Sequence, residues 1–165
     1  MSFPDRLRFL LITSGGLGLS PFAPGTVGTF GGVAIAVLIQ VLAPAHFQLG
    51  SWIAAVVLFV LGCMQSDFVR RAFPKEDPGQ FVLDEVVGYL VTLGVYALLR
   101  RDHPEITGWD HAAAFFAFRV FDVWKLQPAR KLEDLPGALG IMADDQMAGI
   151  YAGVSMWLVL PWMGF

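Results

Sequence analysis

The sequence lacks charge over most of its length, and this absence is its most informative feature. No Lys, Arg, Asp or Glu occurs from residue 9 to residue 66, and none occurs from residue 146 to residue 165. Charged residues make up 15% of the 165 residues, against roughly 25% in an ordinary soluble domain. Both uncharged runs exceed the about 18 residues that a spanning helix needs. The chain is therefore predicted to be an integral membrane protein.

Other absences exclude whole classes of protein. The single cysteine, Cys63, excludes an internal disulfide framework. A net charge of −3 without a basic tract argues against nucleic-acid binding. The sequence has no GxxxxGK[ST] phosphate loop. It also lacks Cys-x₅-Arg, since six residues separate Cys63 from Arg70, and a cysteine-dependent phosphatase is therefore not expected.

Apolar segments alternate with turn-forming residues, which predicts an all-α multi-helix bundle in a single domain, residues 1–165. No segment shows the apolar–polar alternation typical of strands. We expect about four to five apolar helices, membrane-embedded, after an amphipathic N-terminal segment. The third and fourth helices are short for a span of roughly 17–25 residues, so whether they cross is left open. The predicted helices are Val27–Leu42, Trp52–Ser66, Val86–Leu99, Trp109–Trp124 and Gln146–Trp162.

The basic residues predict how the chain is oriented in the membrane. Arg6 and Arg8 precede a short apolar stretch that resembles a signal peptide, but Pro24 after Ala23 makes a poor cleavage site, which favours a surface-lying segment. A cytoplasmic N-terminus places eight Lys and Arg residues inside and two outside, which satisfies the positive-inside rule. We therefore expect a multi-pass protein of this orientation.

Five acidic residues are predicted to meet at the cytoplasmic end of this arrangement. Asp84 and Glu85 begin the third helix, Asp122 lies near the inner end of the fourth, and Asp144 and Asp145 begin the fifth. Acids in a first helical turn often serve only the helix dipole. Charges placed directly against an uncharged helix, however, cost about 2.5–3.5 kcal/mol near the membrane core. A functional site is the better explanation for the last pair.

Crowded carboxylates repel one another, so protons or a metal ion must compensate them. An oxygen-only set of ligands suits Mg²⁺. His46, His103 and His111 are all predicted near the outer end, so zinc is not expected.

Groups able to bind phosphate are predicted beside these acids. The segment "PGTVGT" precedes the first apolar helix, where exposed backbone N–H groups and the helix dipole favour an anion. Arg119 and Lys125 flank Asp122 at three-residue spacing, which is equally consistent with a salt-bridged stripe. The predicted phosphate-binding residues are Gly25, Thr26, Gly28, Thr29, Arg119 and Lys125.

Four motifs together resemble the bacterial phosphatidylglycerophosphatase A family. They are "APGTVGT", "LDEVVGY", "FRVFDVWKLQPAR" and "GIMADDQMAG", in that order. The resemblance implies a Mg²⁺-dependent phosphatase of the bacterial inner membrane, with its active site facing the cytoplasm. Its lipid substrate would be phosphatidylglycerophosphate, which loses its terminal phosphate to give phosphatidylglycerol.

The residues and the resemblance together define a hypothesis for the site. The expected metal ligands are Asp84, Glu85, Asp122, Asp144 and Asp145, and these five with Lys125 are the predicted catalytic residues. Attack by a metal-activated water and an aspartyl-phosphate intermediate both stay open. The alternative function is a non-enzymatic small membrane transporter or assembly subunit that uses intramembrane carboxylates. The oligomeric state is not predicted.

Overall fold

Every regular element in the described part of the chain is helical, which confirms the all-α prediction. A computed structural model describes residues 2–75, 78–100 and 105–163. His103, assigned to the outer end above, lies outside these residues. The helices are α1 Phe3–Ile12, α2 Pro24–Leu42, α3 Phe47–Cys63, α4 Ser66–Ala72, α5 Leu83–Leu99, α6 Gly108–Trp124, α7 Ala129–Leu132 and α8 Ala138–Val159.

Helix α5 is the centre of the bundle. All of its residues from Leu83 to Tyr96 are buried except Glu85. A helix that is apolar around its whole circumference must be covered on every side, and α2, α3, α6 and α8 provide that cover. The position of α5 therefore fixes where Asp84 and Glu85, in its first turn, meet the other helices.

Glycines let α5 and α8 approach closely. A Cβ atom on Gly149 would lie 2.5 Å from the carbonyl oxygen of Gly88, and one on Gly153 would lie 2.6 Å from that of Thr92. Such distances exclude a side chain, so the two backbones are in direct contact. This crossing sets the separation between the acids of α5 and those of α8.

The start of α8 differs from the prediction, and the difference moves two candidate residues. The helix begins at Ala138 rather than Gln146. Gly137 adopts a positive φ of 64°, and the Ala138 N–H donates to Ser66 Oγ at 2.9 Å. Asp144 and Asp145 therefore lie about two turns inside α8 instead of at its beginning, because the helix starts in a stretch that sequence alone suggested was a loop.

Helix α2 also begins earlier than predicted, at Pro24 instead of Val27. Proline suits the first helical position because its fixed φ is helical and its missing N–H would have no intrahelical partner there. The whole "PGTVGT" segment is thus helix rather than a preceding loop. The short helices α4 and α7 were not predicted either.

Two stretches are long and apolar enough to cross a membrane by length and composition, Pro24–Leu42 and Pro44–Cys63. The prediction of about four to five membrane-embedded apolar helices is not confirmed in the described residues. Helices α5 and α6 have 17 residues each, at the lower limit for a bilayer core of about 30 Å.

Candidate active site

Five separate parts of the chain meet around one pocket of about 390 Å³. The N-terminal turns of α2 and α5 contribute to it, as do the C-terminal end of α6, the connection between α7 and α8, and the second turn of α8. Six acidic and two basic residues line it: Asp84, Glu85, Asp122, Glu133, Asp144, Asp145, Arg119 and Lys125. All five predicted acids and both predicted cations are therefore brought together at one end of the bundle.

Three of the acids form a compact cluster that could hold a metal ion. One carboxylate oxygen from each of Asp84, Glu85 and Asp145 lies within 4.8 Å of the other two. Glu85 Oε2 and Asp145 Oδ2 are buried and make no hydrogen bond to any described residue. A buried carboxylate oxygen without a partner is costly, so these atoms fit the position of cation ligands.

Burial and mutual repulsion disfavour the charged form of this cluster. Burial, followed by the neighbouring carboxylates, raises the pKa of Asp84 well above its ordinary value. Burial likewise raises the pKa of Asp145, with Asp122 and Glu85 adding to the shift. Burial raises the pKa of Asp144 to about 6, although Lys125 opposes the change. Protons or a cation must therefore balance these groups near neutral pH.

Each pocket cation is held by carboxylates on two different elements. Arg119 pairs with Asp122 on its own helix, and its Nη1 lies 3.8 Å from Glu85 Oε1. Lys125 Nζ lies 2.9 Å from Asp144 Oδ2 and also pairs with Glu133. Burial lowers the pKa of Lys125, but the hydrogen bonds to these two carboxylates outweigh burial and the pKa is raised. Both side chains are therefore charged and oriented at the pocket.

Asp122 and Asp144 each bond to a cation, Arg119 and Lys125 respectively. One oxygen of Asp144, Oδ1, is still buried without a hydrogen bond. Glu85 does both, since it lies in the compact oxygen cluster with Asp84 and Asp145 and also 3.8 Å from Arg119. The compact oxygen cluster and the acids that contact the cations therefore share Glu85.

The predicted phosphate-binding segment contributes only its first residues to the pocket. Gly25 lines it, together with Ala23 and Pro24. A Cβ atom on Gly25 would collide with Glu85 Oε1 and lie 3.1 Å from Arg119 Nη1, so a side chain there would displace these two groups. Its small size brings the first turn of α2 against the Arg119–Glu85 pair.

The remaining members of that segment lie away from the pocket lining. Thr29 is fully buried and its hydroxyl donates to the Gly25 carbonyl oxygen at 2.9 Å. A Cβ atom on Gly28 would lie 2.5 Å from Val82 Cβ, so this glycine serves helix packing. Thr26 is not among the lining residues either. These three residues lie away from the lining because the segment is helical and turns its successive residues to different sides.

One charged residue of the described lining was missed by sequence reasoning. Glu133 lies in the connection between α7 and α8 and pairs with Lys125. Nothing in its local sequence distinguishes it from the neighbouring solvent-exposed acid Asp134. Only the tertiary contact with Lys125, eight residues earlier in the chain, identifies it.

The described histidines do not join the acids. His111 bonds through Nδ1 to Tyr89 OH at 2.8 Å and through Nε2 to Gln40 Oε1 at 2.7 Å. His46 lies in the turn before α3. Neither residue lines the pocket. The cluster thus offers oxygen ligands alone, which favour Mg²⁺ over zinc.

Comparison with known proteins identifies relatives that span nearly the whole chain. A Bacteroides thetaiotaomicron protein named "Putative phosphatidylinositol-3-phosphatase" is 34% identical over 96% of this chain and 99% of its own length. Phosphatidylglycerophosphatase A of Haemophilus influenzae is 32% identical over 93% of this chain and 89% of its own length. Phosphatidylglycerophosphatase A of Escherichia coli is 32% identical over 93% of this chain and 84% of its own length. No solved structure matches the chain.

The family model described as phosphatidylglycerophosphatase A matches residues 10–160. This span contains all four motifs and every residue that lines the pocket. It confirms the resemblance that the motifs indicated. The chain belongs to the phosphatidylglycerophosphatase A family.

Proposed function

We propose that the chain is a Mg²⁺-dependent lipid phosphatase that hydrolyses the terminal phosphate of phosphatidylglycerophosphate to give phosphatidylglycerol. Membership of the family makes it a phosphatase that acts on phosphoric monoesters. The observation that carries the finer proposal is the cluster of Asp84, Glu85 and Asp145, with unpaired buried oxygens facing a pocket that also holds two cations.

The charge balance of the pocket supports a need for a divalent cation. Six carboxylates against two cations give the described lining a formal net charge of −4. A phosphate monoester is itself dianionic near neutral pH, so the protein alone would repel it. Oxygen ligands and a phosphate substrate are the combination in which Mg²⁺ is usually bound. Asp84, Glu85 and Asp145 are the residues that would hold it.

Bound there, Mg²⁺ would lower the pKa of a bound water and neutralise charge on the phosphoryl oxygens. The protein's own part is to place cationic hydrogen-bond donors around those oxygens. Arg119 and Lys125 carry several N–H donors each, and their carboxylate partners keep them aimed at the pocket. A loose phosphoryl-transfer transition state is stabilised mainly by such positioned positive charge.

The membrane location is supported by how little of the apolar helices the protein itself covers. Only 22% of the candidate span Pro24–Leu42 is buried inside the chain, and the same holds for Pro44–Cys63. Exposed apolar side chains such as Val41, Leu49 and Val57 need an apolar environment. Together with the distribution of Lys and Arg, this supports a multi-pass inner-membrane protein whose pocket faces the cytoplasm.

Metal removal tests the proposal directly. Treatment of the purified full-length chain with EDTA should reduce phosphate release from phosphatidylglycerophosphate to background, and added Mg²⁺ should restore it. Phosphatidylinositol 3-phosphate is assayed in parallel, because one relative carries that specificity in its name. Release that survives EDTA would contradict the metal requirement. An inert protein with both lipids and Mg²⁺ present would favour the transporter or assembly-subunit alternative.

Glu133 provides a second, smaller test of the site. Glu133→Gln removes one of the two charged partners of Lys125, so we expect a fall in kcat of about threefold to fivefold, the scale of a partly exposed ion pair. Thermal stability should not change, since Glu133 lies at the surface. The matched control is Asp134→Asn, an adjacent acid that does not line the pocket. Equal effects of the two substitutions would argue against a role for Glu133 in positioning Lys125.

A further inference from the structure

The active-site pocket borders an apolar surface that the mechanism does not use. Val123 lines the pocket beside Arg119, yet it is 70% exposed. Val120 and Phe116 precede it by three and seven residues on α6 and are 51% and 69% exposed. This spacing places the three apolar side chains on one stripe of the helix, and the stripe ends at the pocket.

Helix α2 extends this surface on the other side. Phe30 is 55% exposed, and its ring centroid lies 4.7 Å from that of Phe115. Phe115 in turn contacts the ring of Phe116 edge-on at 5.6 Å. Helix α2 starts at the pocket and α6 ends there, so along their helices Phe30 lies roughly 8 Å from Gly25 and Phe116 roughly 10 Å from Val123.

We propose that this surface, the acyl face, holds the acyl chains of the lipid whose phosphate occupies the pocket. The acyl face consists of Phe30, Phe116, Val120 and Val123. The proposal rests on the proposed function and adds a specific path for the substrate. A diacyl lipid with its phosphate beside Arg119 must place its acyl chains on a surface next to the pocket. Val123 connects the pocket to such an apolar surface. The length of the stripe fits within a bilayer leaflet of about 15 Å.

General contact with the bilayer does not account for this placement. Helix α3 exposes a similar apolar surface, which includes Ile53, Val56, Val57 and Val60. None of these residues lines the pocket. We therefore expect both surfaces to contact bulk lipid. Only the acyl face should contact a lipid whose phosphate is bound in the pocket.

Kinetics with two substrate lengths test the acyl face. In the Phe116→Ala/Val120→Ala variant, KM for long-chain phosphatidylglycerophosphate should rise roughly fivefold, equivalent to about 1 kcal/mol of lost contact. KM for a dihexanoyl analogue and kcat for both lipids should not change. The control variant Val56→Ala/Val57→Ala on α3 should behave as wild type. An equal rise for both chain lengths, an equal rise in the control, or no rise at all would overturn the proposal.

Photo-crosslinking tests the same surface without requiring turnover. The wild-type chain is reconstituted with phosphatidylglycerophosphate that carries a diazirine in one acyl chain, or with phosphatidylcholine that carries the same group. The phosphate monoester lipid should label α6 at residues 116–123 several-fold more than α3, whereas phosphatidylcholine should label both helices alike. Equal labelling by the two lipids would overturn the acyl face even in an active enzyme. Absence of phosphate release with selective labelling would instead count against the proposed function alone.

Discussion

Replacing Asp145 with asparagine should reduce phosphate release by roughly 10³-fold, the scale of losing one group that manages transition-state charge. Asp145 is buried on α8 and belongs to the cluster with Asp84 and Glu85, and its Oδ2 makes no hydrogen bond to any described residue. An amide has nearly the same shape but no charge, so it should weaken Mg²⁺ binding without creating a cavity. We expect Asp84→Asn and Glu85→Gln to act in the same way.

The stability of the metal-free protein separates loss of a ligand from loss of the fold. Asp145→Asn removes one charge from a group of mutually repelling acids, so the thermal stability without Mg²⁺ should stay equal or rise. A ligand that binds only the folded state stabilises it. Added Mg²⁺ should therefore raise the thermal stability of the variant less than that of the wild-type protein. The control is Asp67→Asn, whose carboxylate is exposed and pairs with Arg70 outside the pocket. Full activity of the Asp145 variant, or loss of activity explained by unfolding, would contradict the assignment.

Gly149→Ala should destabilise the protein by about 1–3 kcal/mol, the range for overpacking a close contact. In an open helical position the same change would be favourable, since alanine has the higher helix propensity. At Gly149 the new Cβ atom would lie 2.5 Å from the Gly88 carbonyl oxygen and 3.2 Å from Val91 Cβ. The backbone of α5 would have to move away from α8. Because Glu85 and Asp145 are on opposite sides of this crossing, activity should fall together with stability.

Gly108→Ala is the matched control for this substitution. Gly108 is the first residue of α6, and a Cβ atom there would meet no other atom within 4 Å. Thermal unfolding of the two variants in the same detergent, followed by circular dichroism, measures the difference. If Gly149→Ala were as stable as Gly108→Ala, the close contact between α5 and α8 would be wrong.

The chemical character of the site could be predicted from sequence because it depends on residue type and order. The five acids begin or end apolar segments, the two cations flank Asp122, and a Lys and Arg count alone predicted these ends on the same side of the membrane. Helical fold class followed from segment length and the absence of strand alternation. Family membership followed from four motifs in a fixed order.

Which partner each acid contacts could not be predicted, because these contacts depend on distances between helices. Asp144 and Asp145 are adjacent in sequence, yet one bonds to Lys125 and the other joins the cluster with Asp84 and Glu85. Helical geometry turns consecutive side chains by about 100°, so neighbours reach different partners. The sequence also gave no sign that the helix begins at Ala138, since the contact between its N–H and Ser66 is long-range.

Residue types and their order thus determined that this protein is helical, apolar and equipped with carboxylates and two cations at one end. The tertiary structure decided which oxygens cluster, which acids orient Arg119 and Lys125, and that Glu133 belongs to the site while Thr29 does not. The physical reason is that electrostatic and metal-binding interactions act over a few ångströms. The packing of α5 against α8, through Gly88 and Gly149, determines the distance between the acids on these two helices.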